Sequence, residues 1–237
     1  MKLSYLIYLS AKAAADYGDA SFTYESYMSG EAQKDEDYAS FIDKALTEVN
    51  AFLQRISTLN KVPAVVESFE LTKGQYQIAF PNSKGRVITV FQYRNDQSNY
   101  DVLGYSHLGN AIFLRKPFRN EEGDTVWVQY RPKVEWYREA DIIPIEATEY
   151  DGSIQYLSNG EYYDSFSEAE EANEVDLTEE YGLSNEILAL CVDWVKARLM
   201  DSRTEGQAKE IEVESRINDV TLDEVLITPY KVRRIHF

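Results

Sequence analysis

The hydrophobic period of this chain changes twice, and those changes limit the folds open to it. From Asp35 to Ile56, apolar side chains fall at Tyr38, Phe41, Ile42, Ala45, Leu46, Val49, Phe52, Leu53 and Ile56. This i, i+3, i+4, i+7 rhythm predicts a helix with one buried stripe. Asp35, Glu36 and Asp37 open it, where carboxylates oppose the positive end of the helix dipole, and Pro63 lies beyond its far end. The period then becomes two. Tyr76–Phe80, Val87–Tyr93, Ala111–Leu114 and Thr125–Tyr130 are short β-branched and aromatic runs. Turn-forming residues separate them at Pro81–Gly85, Arg94–Gln97, Gly109–Asn110 and Asn120–Asp124. The spacing predicts an antiparallel meander or small sandwich over 64–157, including a hairpin at Asp151–Gly152.

Helical spacing returns at Leu183, Ile187, Leu188, Leu190, Cys191, Trp194, Val195 and Leu199, with Ser184 as N-cap. A more polar helix follows from Thr204 to Asp219, with Glu205/Lys209 and Glu212/Arg216 spaced as i, i+4 pairs. Beyond it, Glu224–Phe237 has no helical period and contains Pro229, so it reads as an extended arm. The expected class is α+β: N- and C-terminal amphipathic helices flanking an inserted antiparallel β domain, with an extended C-terminal arm. The divisions read from the pattern are an N-terminal helical segment (1–60) and a β meander or sandwich (61–160). An acidic connection with C-terminal helices packing on the N-terminal helix (161–220) and a basic, apolar arm (221–237) complete the chain.

At 237 residues and 44% hydrophobic, the chain can bury a core and is not a disordered polyanion. Its eighteen tyrosines favour strands and wet contact surfaces, where a ring is buried and its hydroxyl solvated. The opening run from Leu3 to Leu9 is interrupted by tyrosines and followed by Lys12, which suits an amphipathic first helix better than a signal peptide. No run approaches the ~18 apolar residues that a membrane span needs.

Charge is distributed unevenly. The chain carries −17, yet residues 139–195 contain no lysine or arginine and sixteen carboxylates, so they supply −16 of it. The block is open to two main readings: a solvated surface repelling itself, or a surface facing a negative polymer or a basic partner. Glu168, Glu170, Glu171, Glu174 and Asp176 form its densest part. A surface without lysine or arginine offers a polyanion none of the phosphate contacts that add affinity. The same composition argues against ordinary nucleic-acid binding, since no basic patch with interleaved aromatics exists.

Catalytic and metal signatures are sparse. Cys191 is the sole cysteine, which excludes an intrachain disulfide and a cysteine-based zinc cluster. Of the two histidines, His236 is next to last and His107 lies in a turn-like segment, poor places for a preorganised base. No phosphate-binding glycine loop, dinucleotide fingerprint or HExxH motif is present. Paired carboxylates leave a carbohydrate-active enzyme as a third class, but Glu168–Glu180 has few large apolar neighbours to raise a carboxyl pKa. The reading therefore assigns no catalytic residue, metal or cofactor. Asp35–Asp37 is read as helix-start chemistry and Cys191 as a small core residue. In the arm, Tyr230, Lys231, Val232, Arg233, Arg234, Ile235 and Phe237 mix cations with apolar side chains. That pattern suits either solubility or a docking strand whose charges meet acidic groups.

The amphipathic helix Phe41-Ile42-Asp43-Lys44-Ala45-Leu46-Thr47-Glu48-Val49-Asn50 resembles a helix of tailed-bacteriophage head–tail connector proteins. Tyr181–Ser184, leading into Asp193–Leu199, looks like their second long helix, and Lys209–Arg216 like its glutamate-rich ending. Larger connectors of this type place a β domain between the helices. The resemblance implies a structural virion protein, assembled in the host cytoplasm, forming a ring of usually twelve copies beneath the portal at the head–tail junction. Such a ring extends the DNA channel without binding DNA specifically, and has no membrane role. The implied partners are other copies, the portal protein and the next tail or connector ring. Residues 222–237 become the candidate portal contact, and the five clustered carboxylates candidates for the channel lining. A tail-completion or baseplate component is the alternative within the same class.

Overall fold

The computed structural model describes residues 1–15, 22–93, 100–115, 121–150, 153–173, 175–200, 203–222 and 226. The architecture is α+β: helices at the N-terminal end, an antiparallel β domain in the middle, and helices again toward the C-terminal end. The chain forms two compact units. The first takes residues 1–61 and 134–221, and the second is built on 62–133. The expected arm residues from Tyr230 to Phe237 lie outside the described residues.

In the first unit, helices α1 (Leu3–Ala15), α3 (Glu36–Thr58) and α6 (Asn185–Leu199) pack against one another, with the short α2 (Tyr24–Met28) beside α1. α3 follows the expected stripe: Ile42, Ala45, Val49, Phe52, Leu53 and Ile56 are buried. Asp35 caps it, its carboxylate accepting from the Asp37 and Tyr38 amides. α6 starts as read from the sequence, with the Ser184 hydroxyl accepting from the Ile187 amide at 3.3 Å. Its face buries Ile187, Leu188, Leu190, Cys191, Trp194 and Val195, and Trp194 meets Phe52 of α3 edge-on. α1 departs from expectation. It is buried over most of its circumference, with Ser4 and Ser10 enclosed alongside Leu3, Leu6, Ile7 and Ala11, because neighbours cover it on more than one side.

α7 (Arg203–Asp219) lies on α6 through Val213 and Ile217. Gly206 permits the approach: a Cβ there would stand 2.6 Å from the Ala197 carbonyl oxygen. The ion pair that Arg216 forms is with Asp193 of α6, at 2.9 Å, rather than along its own helix. Arg198 of α6 likewise bridges Glu48 of α3 and Glu210 of α7.

The chain returns to this unit at Val134, and three side chains of α3 receive it, the Ser57 hydroxyl accepting from the Val134 amide at 3.4 Å. Asn50 donates to the Tyr137 carbonyl at 2.8 Å and accepts from the Tyr137 amide at 2.9 Å, while Gln54 donates to the Val134 carbonyl. Asn50 is buried, so its amide replaces water for two backbone groups that would otherwise be unsatisfied. A small sheet follows: β8 (Glu146–Tyr150), β9 (Ser153–Ser158) and β10 (Glu161–Tyr163), in the order β10-β9-β8. Tyr150 pairs with Ser153, as the expected hairpin requires, although Asp151 and Gly152 lie outside the described residues. The β9–β10 connection places Asn159 and Gly160 at φ 53° and 82°, a type I′ turn suited to that dipeptide. Helices α4 (Phe166–Asn173) and α5 (Leu177–Tyr181) complete the unit. The β region expected over 61–160 is thus divided, since 146–163 pair among themselves and pack with α4.

The second unit holds two antiparallel sheets. One, in the order β1-β7-β3-β4, contains Val65–Leu71, Asp124–Pro132, Gly85–Tyr93 and Tyr100–Val102. The other, β2-β6-β5, contains Gln77–Ala79, Ala111–Leu114 and Tyr105–Leu108. Alternate residues enclose one core of Leu71, Ile78, Phe80, Val90, Ile112, Leu114, Val126, Val128 and Tyr130, giving the small sandwich expected. A bulge between Val87 and Thr89 is braced by the Tyr105 hydroxyl, which donates toward the Val87 and Ile88 carbonyls.

Replacing Asn50 by alanine is expected to lower stability by about 2–4 kcal/mol, because it strands two backbone groups and opens a cavity. Urea denaturation of the two proteins, read as a shift in midpoint, checks this.

A candidate interaction surface in the acidic block

Of the sixteen carboxylates in 139–195, Asp151 and Glu174 lie outside the described residues and Glu170 and Asp176 are half-buried. The other twelve (16 − 2 − 2) are exposed. Burial of an unpaired carboxylate is costly, so a segment this rich in them must line the surface of whatever it joins. Its apolar minority does the holding. Ala169 of α4 is fully buried, and Phe166 meets Tyr156 of β9 edge-on with centroids 5.9 Å apart.

The five clustered carboxylates meet different fates. Glu168 and Glu171 are exposed on α4. Glu170 accepts a hydrogen bond from the Tyr24 hydroxyl at 2.8 Å, and its backbone carbonyl accepts from the Lys2 ammonium at 3.4 Å. Asp176 is engaged in internal bonds. It caps α5, accepting from the Thr178 and Glu179 amides, and binds the Met1 ammonium at 3.0 Å. Met1 also donates to the Thr178 hydroxyl, and Lys2 bridges Asp176 through the backbone. Burial works to raise the Asp176 carboxyl pKa. The ammonium and the two amides together outweigh it and hold the group below its ordinary value.

Groups capable of chemistry elsewhere are occupied structurally. His107 shares a hydrogen bond with the Phe80 carbonyl at 2.9 Å and lies edge-on to the Phe80 ring. Cys191 is enclosed, and burial pushes its thiol well up, away from the reactive thiolate. The Tyr137 and Tyr181 hydroxyls lie 3.1 Å apart, and burial foremost raises both. The turn signal at Pro81–Gly85 does not announce a cluster that Lys84 forms in the sandwich. There Lys84 donates to Glu67 at 2.7 Å and stands over the rings of Phe69, Phe80 and Tyr130. Burial, then the Glu67 charge and hydrogen bond, push the Tyr130 hydroxyl up to about 12. Among the described residues, no three His, Cys, Asp or Glu side chains are grouped to hold a metal ion. Nor is any helix among them long and apolar enough to cross a membrane.

Three concavities of the first unit bear on the site. One of about 560 Å³ lies beside α2 and α3, lined by Tyr27, Met28, Ile42, Leu46 and Ile143 with Asp43 and Glu139 at its edge. Two more adjoin Phe166, one lined by Tyr5, Tyr24, Glu25 and Glu170 and the other by Ile154 and Tyr156. These aromatic residues were not singled out in the sequence. Thr23-Tyr24-Glu25 alone carried a hint, as an aromatic flanked by polar groups. The sequence matches no known protein family and no characterised protein.

The Met1–Asp176 contact ties the first residue of the chain to the acidic block, and its stability contribution follows from the depressed carboxyl pKa. That contribution is fully present above the ordinary carboxylate value of about 4 and is lost as pH falls through the lower folded value. Asp176→Ala is expected to cost about 1–3 kcal/mol at neutral pH by removing the cap and the ion pair. The difference between variant and parent should shrink below about pH 4. Denaturation midpoints measured from pH 7 to pH 3 check both.

Proposed function

We propose that the chain is a structural subunit of a phage head–tail connector, forming a ring through which DNA passes. The observation that carries this reading is the surface placement of the cation-free block on the helical unit: twelve exposed carboxylates with no lysine or arginine among them in sequence. Repeated around a closed ring, such a surface repels a polyanion from every side, so DNA is neither adsorbed nor delayed. Fold supports the reading as well. Helices from both ends of the chain pack together, with a β sandwich between them in sequence, which is the arrangement the resemblance implies. Ring closure asks for a heterologous interface with different patches on its two sides. The first unit offers uneven patches of that kind: exposed Ile154, Tyr162 and Trp136, and the cavities described above.

In this reading the arm from Tyr230 to Phe237 joins the subunit to its neighbours in the connector, the portal protein among them. Native mass measurement of the purified protein and of disrupted particles should return a closed oligomer of this chain. A chain that is monomeric at high concentration and absent from particles would end the proposal. Deleting Tyr230–Phe237 should leave a folded subunit, with an unchanged circular-dichroism melt, that no longer enters particles. Duplex DNA should show no retention by the assembly even at low salt, where any phosphate contacts are strongest.

A further inference from the structure

Two cavities flank Phe166, and their walls select different side chains. The first, of about 670 Å³, is lined by Tyr5, Tyr24 and Phe166 together with Glu25 and Glu170. Tyr5 and Tyr24 meet edge-on with ring centroids 5.1 Å apart, and Tyr24 and Phe166 do the same at 5.7 Å. The second, of about 430 Å³, shares Thr23, Glu25 and Phe166 with the first and continues over Ile145, Ala147, Ile154 and Tyr156. Ile154 is 62% exposed and Tyr5 38%, so apolar area is left open on both sides of Phe166.

Chemistry separates the two halves. Aromatic faces carry negative quadrupole charge, and with two carboxylates at the rim they favour a guanidinium or ammonium group. Among the described residues, neither cavity has a lysine or arginine in its lining. Glu170 uses one oxygen to accept from the Tyr24 hydroxyl, which also orients the ring, and Glu25 is exposed at the edge common to both cavities. The other half has Thr23, Ser26 and Ser29 on one side and an aliphatic and aromatic wall of Ile145, Ala147, Ile154 and Tyr156 on the other, and that wall suits an apolar side chain. A ligand that fills both must present a cation and an apolar group side by side. In an extended segment, residues i and i+2 stand on one face about 7 Å apart.

Tyr230–Phe237 has that chemistry: three cations, Lys231, Arg233 and Arg234, and no acidic side chain among eight residues. Arg233 and Ile235 share one face of an extended segment, and Phe237 follows on the same face. We propose that the groove around Phe166 is a receptor for an extended cationic and apolar segment, occupied by Tyr230–Phe237 of a second copy of the chain. Arg233 enters the tyrosine-lined half, and Ile235 or Phe237 the apolar half. Each subunit then carries one donor and one acceptor, the arrangement that makes a heterologous contact and forms a ring where its rotation closes. This inference rests on the oligomeric reading above, because it needs another copy alongside.

The test uses a fluorescently labelled peptide of residues 226–237, titrated onto the full chain and followed by anisotropy, with the oligomeric state measured in parallel. Saturable binding is expected, weakened about tenfold in the double variant Glu25→Gln, Glu170→Gln, and equally by replacing Arg233 with serine in the peptide. The amide that replaces the Glu170 carboxylate keeps an acceptor for Tyr24, so this variant tests charge rather than folding. Excess peptide should also dissociate the oligomer. Absence of binding, or equal affinity for parent and variant, overturns the proposal. So does a monomeric chain whose peptide affinity rises on deletion of Tyr230–Phe237, since the segment then fills its own groove. An oligomer that survives both the double variant and excess peptide removes the inference and leaves the ring reading standing. Absence of any oligomer removes the ring reading itself.

Discussion

Burial of α1 against α3 and α6 is the constraint on which the first unit depends. Leu3, Leu6, Ile7 and Ala11 have almost no accessible surface, because helices from distant parts of the chain close over them. A 13-residue helix is marginal alone in water, so α1 gains its stability from that packing rather than from propensity. Of the two covering helices, α3 precedes the departure at Lys61 and α6 follows the return at Val134, so the cover joins segments from both sides of the second unit's sequence. Asn50 helps set where the chain comes back, since its amide matches one donor and one acceptor of Tyr137. Buried Asn50, together with Gln54 and Ser57 of α3, thus holds the register of the return that precedes the acidic block.

Electrostatics in this chain has two scales. At short range a few carboxylates hold structure: Asp176 caps a helix and binds the Met1 ammonium, Asp193 pairs with Arg216, and Glu170 orients Tyr24. At long range the exposed majority create a field of one sign, whose reach is about a Debye length, roughly 8 Å at physiological salt. Mutual repulsion among them opposes compaction, and water tempers it because they remain exposed. The buried contributions of Ala169, Leu177, Tyr181 and Leu183 then keep the acidic connection folded onto the unit.

Much of the helical part was legible because its signals are local. Asp35 and Ser184 cap the helices expected of them, and the stripe from Ile42 to Ile56 is the one that is buried. Strands are legible where β-branched and aromatic residues run together, as in β2, β3, β6 and β7, and not where polar residues interrupt them, as in β1, β4, β5 and β10. Asn159-Gly160 was a readable turn signal that would have placed β9 and β10. That 146–163 form a sheet of their own is not legible, because residue types do not say which strands share a sheet and the packing of β9 and β10 on α4 is a tertiary contact. The five clustered carboxylates looked equivalent, yet Asp176 has an ammonium partner 175 positions away. The i, i+4 pairing proposed for Arg216 gave way to Asp193, because α6 lies beside α7 and offers a carboxylate there.

Hydrophobic period, capping residues and the sign of the charge block follow from the amino-acid order alone, since each depends on neighbours within one or two turns of the backbone. Which carboxylates acquire partners, which strands share a sheet, and the meeting of Tyr5, Tyr24 and Phe166 around two glutamates depend on contacts between distant segments. Those contacts exist only when burial of apolar surface offsets the entropy of closing long loops, and that balance belongs to the folded chain as a whole.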